Sequence, residues 1–276
     1  MLFRSFNAVK AGMPHVDNQA MDWVPKDPEL LKRIYDDLMT EMGVSVLFNS
    51  ELSSVEMKSN DEVEAIAVCN KSGLTVYKAK VYVDCTGDGD LAAWAGAEFE
   101  KGDGTGELQP ATHCFILSNV DEYGYSYGEY SKEGFQGKLM QEIVSSGMFE
   151  LIQGSLFSHF HIGPGTVGFN AGHIWEVDNT DPLSVSKSLM HGRKIADSFK
   201  NALAMYHPKA FGNSFLVATG PLMGIRETRR IIGDYILDIE DYLERMSFDD
   251  EICRNSYFID VHYSIKESGK DRKSVV

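Results

Sequence analysis

An α+β chain in two parts is predicted by three features of the sequence. A capped amphipathic helix gives way to period-two strands, a strand runs into a glycine turn at Thr86–Asp90, and a second long helix lies among short strands. The first helix spans about 28–42, where Asp27 suits the N-cap, Pro28 the first helical position and Gly43 the C-terminal cap. Leu30, Leu31, Ile34, Leu38 and Met42 recur at helical spacing on one face. The period then becomes two. Val44–Phe48, Glu51–Lys58, Glu62–Cys69 and Leu74–Ala79 alternate around turns at 59–61 and 71–73, which predicts a three-stranded meander. Lys80–Asp84 is a further short strand with Val81 and Val83 on one face; it leads through Cys85-Thr86-Gly87-Asp88-Gly89-Asp90 into a short apolar helix over 91–95.

Lys101–Gly106 is a glycine-rich loop that is costly to order, and the boundary between the two parts is placed just beyond it, giving residues 1–110 and 111–276. The second part reads as a mixed sheet with strands near 113–117, 155–162, 166–170, 215–218, 229–237 and 257–262. Helices are expected over 137–146, 184–206 and 238–246, the long one striped by Val185, Leu189, Gly192, Ala196, Phe199, Leu203 and Tyr206 and stopped by Pro208. Residues 120–136 read as a polar loop, and its Tyr123, Tyr125, Tyr127 and Tyr130 either line a substrate entrance or pack as partly buried surface tyrosines. Residues 1–24 look irregular and the tail 266–276 frayed.

The net charge of −15 over 276 residues argues against nucleic acid and against an anionic membrane surface as partners. Cys69, Cys85, Cys114 and Cys253 form no CxxC pair and read as reduced, mostly buried thiols of a cytoplasmic protein. No apolar run approaches the ~20 residues that cross a bilayer, and no secretory signal is visible in residues 1–24. His159 and His161 share one face of a strand without a third ligand, too little for zinc, and no GxSxG elbow supports Ser/His/Asp catalysis.

The glycine turn carries the chemistry. Such a turn between strand and helix exposes backbone amides to an anion, and Gly87-x-Gly89-x-x-Ala92 matches the dinucleotide fingerprint with Ala in third place. Against that, Asp88 and Asp90 set carboxylates beside phosphates, and no second strand of a βαβ unit follows. The other reading is that Asp88 or Asp90 caps the helix while the glycines supply the turn.

The run VYVDCTGDGDLAAWAGAEFE resembles the DATGDGDLA…AGA segment of the bacterial FAD-dependent oxidoreductases, a family of two-domain flavoproteins. The likeness continues in order through Lys26–Gly43, Asn70–Gly73, Gly168–Asn170 and Asp178–Pro182. It is most specific at GIRETRRIIGDY (Gly224–Tyr235), followed by Asp241, Phe248–Asp250 and Ile259–His262. The resemblance implies a partial Rossmann-like FAD-binding domain with a β-meander, followed by a substrate or cap domain. It implies FAD as cofactor, with Thr86, Gly87, Asp88 and Gly89 as secondary contacts, and hydride exchange between flavin and a small organic substrate. The family's GxGxxG unit is expected upstream of residue 1 and its FAD-closing segment after His262, so the chain reads as a fragment or as one needing a polypeptide that supplies the Rossmann unit. A non-catalytic remnant and a stand-alone nucleotide-binding module are the alternatives.

Two catalytic candidates follow. Arg226 heads the cluster Arg226, Glu227, Arg229 and Arg230, which either contacts substrate or flavin or joins the two parts through Arg–Glu pairs; Met223-Gly224 before it reads as an accessible turn. His262, at the end of the 257–262 strand, is a residue that titrates near neutrality and moves protons, or a satisfied histidine near the junction of the parts. Substrate identity and oligomeric state stay open.

Overall fold

The computed structural model describes residues 27–103, 106–130, 137–154, 157–252 and His262. In chain order the elements begin α1 (Pro28–Glu41), β1 (Glu51–Ser59), β2 (Glu62–Asn70), β3 (Gly73–Tyr77), α2 (Asp90–Trp94) and β4 (Phe99–Lys101). They continue β5 (Phe115–Ser118), α3 (Glu122–Tyr127), α4 (Lys138–Ser145), β6 (Phe157–Gly163) and β7 (Thr166–Ala171). The last are α5 (Pro182–Tyr206), α6 (Pro208–Phe211), β8 (Phe215–Thr219), β9 (Arg229–Ile231) and α7 (Ile239–Glu244). The fold is α+β, with every strand pairing antiparallel. Two compact units emerge, neither continuous in sequence: one holds 27–47, 111–177 and 181–225, the other 48–110, 178–180 and 226 onward.

The first unit is built on a four-stranded sheet in the order β6-β7-β5-β8. Phe115 stacks on its neighbour Phe169 with ring centroids 4.8 Å apart, and Phe199 from α5 lies 5.8 Å from both Phe115 and Phe157. Asp181 starts α5 by accepting the Leu183 amide at 2.9 Å, with Pro182 in the first helical turn. The buried face of α5 runs through Ser188, Gly192, Ile195, Ala196, Phe199, Ala202 and Leu203, close to the stripe read from sequence. Gly192 lets the helix pass His113: a Cβ there would sit 2.5 Å from the His113 Cβ. His113 is fixed in turn by its Nε2 contact with the Gly220 carbonyl at 2.8 Å. Pro208 interrupts rather than stops the helical run. His207 leaves helical geometry and α6 begins at once, because proline is well placed in a first helical turn.

The second unit carries the meander β1-β2-β3 as expected, with register shifts in the β1–β2 ladder and turns where the sequence put them. A small ladder pairs β4 with β9, Phe99 opposite Ile231 and Lys101 opposite Arg229. The sequence reading missed β4, which is too short to show a period. It also overextended the later strand, since 229–237 contracts to Arg229–Ile231.

Other expectations change. Val44–Phe48 and Lys80–Asp84 are not strands; among the described residues they have no ladder partner, and alternation alone cannot create one. Residues 120–136 are not wholly loop, since Asp121 accepts the Gly124 amide at 2.6 Å and caps α3. On that helix Tyr123 and Tyr127 fall on the exposed side while Tyr125 packs inward, and Tyr130 beyond it is buried with its hydroxyl on Glu142 at 2.7 Å. The cysteines read as mostly buried are not so where described: Cys69, Cys85 and Cys114 are all exposed, and Cys253 lies outside the described residues. The expectations for 1–24, for Tyr257–Val261 and for 266–276 lie outside the described residues.

Candidate functional site

Asp84, a residue the sequence reading passed over, organises the glycine turn. Its Oδ1 accepts the Thr86 amide at 3.0 Å and the Thr86 hydroxyl at 2.7 Å, while Oδ2 accepts the Ala92 amide at 3.0 Å. Thr86 Oγ1 then accepts the Asp90 amide at 2.8 Å. Burial would raise the Asp84 pKa, but the hydrogen bonds from Thr86, Ala92 and Leu91 together hold it below the ordinary aspartate value. So Asp84 and Thr86 satisfy the start of α2. The reading in which Asp88 or Asp90 caps it does not hold: the N-cap position is Gly89, with φ 65° and no side-chain cap bond. The clue available in the sequence was an aspartate at the last position of a strand-like run, three residues ahead of the first glycine.

The turn has an open front and a packed back. At the front, Thr86 and Gly87 are exposed, and a Cβ on Gly87 (φ +92°) would meet nothing within 4 Å. The amides of Gly87, Asp88 and Gly89 donate to no described residue. At the back, Asp88 is 8% exposed and accepts the Asn179 side-chain amide at 2.5 Å. Gly89 lies against Ile231, which a Cβ would meet at 2.8 Å. Asp90 pairs with Arg229 at 2.5 Å, and Arg229 lies 5.4 Å from the centre of the Phe99 ring. Both carboxylates that counted against an anion site are therefore engaged, Asp90 by a guanidinium. Three amides without an acceptor among the described residues, beside an exposed glycine, suit a diphosphate or flavin edge, so these residues fit FAD.

The two catalytic candidates meet at a dipeptide that the sequence reading did not single out. Arg226 Nε donates to the Pro110 carbonyl at 3.0 Å, and the His262 amide donates to Gln109 Oε1 at 3.0 Å. The Gln109 amide in turn donates to Glu227 Oε1 at 3.0 Å. The ion-pair reading holds for the neighbours of Arg226. Arg230 pairs with Glu227 at 2.9 Å and reaches Glu100 at 3.5 Å, linking the two halves of the sequence inside one unit. Gly224 is exposed but lies in a bridge, not a turn, since it exchanges both backbone hydrogen bonds with Thr112 at 2.8 and 3.0 Å. The turn residues Thr86–Gly89 form a separate set of contacts, with Arg229 and Asn179.

The histidine pair belongs to the other unit and is already engaged. Tyr125 OH lies 2.5 Å from His159 Nδ1, and its ring meets His161 edge-on at 4.4 Å. Burial, reinforced by the nearby His161, pushes His159 down to about 4. The described residues contain no group of three His, Cys, Asp or Glu able to hold a metal, and no helix long and apolar enough to cross a membrane.

A family model described as FAD dependent oxidoreductase matches residues 2–275. No curated protein and no solved structure matches the chain.

Proposed function

Because the chain belongs to the FAD dependent oxidoreductase family and FAD is its cofactor, we propose that Thr86 and Gly87 meet the cofactor and that the protein carries out two-electron redox on a small organic substrate. When bound, FAD supplies a two-electron carrier that exchanges a hydride with a substrate carbon. The chain's own residues bind and orient. The amides of Gly87, Asp88 and Gly89 donate to the cofactor's acceptors, Thr86 borders them, and Asp84 keeps the turn in shape. Arg226, anchored to the Pro110 carbonyl, holds an anionic group of substrate or flavin, and the His262 imidazole moves a proton. Gln109 positions His262 through its amide, as Pro110 positions Arg226. The observation that carries this reading is the set of three amides with no acceptor among the described residues, beside an open Gly87.

We extend the proposal to a partner polypeptide. Val81 and Val83 are 75% and 77% exposed in an extended segment directly before the turn, which is the state of a strand that lacks its ladder. A strand supplied by further polypeptide would cover them and complete the cofactor's cradle. We place the protein in the cytoplasm, where exposed thiols such as Cys69 and Cys85 stay reduced.

Titrating the purified chain with FAD tests the reading. Stoichiometric yellow protein whose flavin is reduced by dithionite is expected, either for the chain alone or once the completing strand is present. Gly87→Val should lower flavin occupancy at least tenfold, since its branched side chain fills the open front and strains a residue at φ +92°. Full occupancy in that variant would remove the turn from the site.

A further inference from the structure

The four-stranded unit contains a cavity of about 210 Å³ lined by Leu151, Gln153, His173, Ile174, Trp175 and His191. Its wall is built with some care for shape. Ile174 exchanges both backbone hydrogen bonds with Ala111, at 2.8 and 2.9 Å, which fixes the chain between His173 and Trp175. Left-handed residues flank this rung, Gly172 at φ 78° and Glu176 at φ 58°. A non-glycine residue in that conformation is uncommon and clusters where backbone is held for a purpose. The His173 and Trp175 rings meet edge-on with centroids 5.4 Å apart, and His191 comes from the middle of α5. At about 30 Å³ per water, such a volume holds several waters or one small molecule.

The polar character of the wall selects the occupant. The indole N–H of Trp175 is buried and has no acceptor among the described residues. An indole N–H only donates, so the missing partner is an acceptor. Gln153, whose Nε2 also donates to the Glu150 carbonyl at 3.5 Å, and His191 each add a group able to donate or accept, Leu151 and Ile174 add apolar wall, and no carboxylate lines the space in a chain of net charge −15. The cavity shares Leu151 with an adjoining groove of about 540 Å³ that carries Arg193 and Lys194, with Asp197 as its one acid. Cations at the approach and donors within favour an acceptor-rich anion with a short apolar body.

We propose that this cavity binds a small organic carboxylate, whose oxygen accepts the Trp175 indole hydrogen. The site stands independently of the flavin reading, because it lies wholly within the other unit.

Nitrogen-15 spectra of the whole chain test it. The Trp175 indole resonance is assigned by its loss in Trp175→Phe, and Trp23 and Trp94 serve as internal references. Acetate and succinate are titrated against sodium chloride at matched ionic strength and against neutral acetamide. The expected result is a saturable shift of the Trp175 resonance with the carboxylates alone. Trp175→Phe should weaken carboxylate binding at least tenfold by calorimetry. His191→Ala, a change at an exposed position that leaves the fold in place, should weaken it about threefold. A Trp175 resonance that is unmoved, or moved equally by chloride or acetamide, overturns the proposal.

Discussion

The two units of this chain are held together by different physics. Every side chain of the continuous apolar core, from Ala111 to Met223, belongs to the four-stranded unit. Among the described side chains of the meander unit, Ala65 and Pro110 are the buried apolar ones, beside the polar Asp88 and Thr228. There the organisation comes from ladder hydrogen bonds and from paired charges such as Arg229 with Asp90 and Lys101 with Asp178. Its apolar side chains are largely left outside, Val81, Val83 and Leu237 among them. That exposed apolar surface is what the proposed completing strand and cofactor would cover. The unit proposed to receive the flavin is thus the one with the least core of its own, and its order should respond to charge, pH and ligand where the other responds to volume.

The largest effect that tests this contrast is in the apolar unit. Phe199 sits between Phe115 and Phe157 and is fully buried, so Phe199→Ala should cost about 3–5 kcal/mol. Thermal unfolding followed by amide exchange would locate the loss. Exchange should accelerate across β5–β8 and α5 while β1–β3 keeps its wild-type protection. Equal acceleration in both units would mean that they unfold as one body, and the contrast would then describe composition and not stability.

A smaller effect is expected from the paired charges. The Arg229 side chain is 11% exposed and that of Asp90 33%, so removing the guanidinium leaves a half-sheltered carboxylate without its cation. Arg229→Met should destabilise the meander unit by about 1–3 kcal/mol, less than loss of a fully buried pair because water still reaches Asp90. Denaturant unfolding at low and high salt checks it. The wild type should lose part of its advantage over the variant as salt rises. An advantage independent of salt would point instead to lost packing of Arg229 on Phe99.

The same contrast explains what the sequence made legible. Long periodic stretches were readable, because the stripe of α5 and the alternation of the meander each record burial on one face. The cap of the first helix was readable too, as Asp27 shows, whereas the caps Asp181 and Asp238 emerge only in the structure. Alternation misled at Val81 and Val83, where it predicts a strand but says nothing of a neighbour to pair with. Of the site, the turn was visible as glycines, and Arg226 and His262 as chemistry-bearing residues. Their common tie to Gln109–Pro110 was not, since it joins residues separated by 116 and 153 positions and no local pattern encodes such a contact. Asp84 was missed for a different reason: an aspartate eight residues ahead of the amide it accepts looks like a strand end.

Asp84 supplies the smallest and most diagnostic effect. Its folded pKa lies below the unfolded value, so the carboxylate's contribution is complete above the unfolded pKa of about 3.9 and is lost as pH falls through the depressed folded value. Asp84→Asn removes the titrating group and one charged acceptor, and should cost about 0.5–2 kcal/mol at neutral pH, as for other lost helix caps. The gap between wild type and variant should close on acidification through that window. Asp178 and Glu64, also held low by lysine partners, titrate in the same direction but are present in both proteins and cancel in the difference. Denaturant midpoints at neutral and acid pH decide the matter. A gap that persists when Asp84 is protonated would show that the turn is shaped by its glycines and by Thr86 alone, and the open front at Gly87 would then owe nothing to charge.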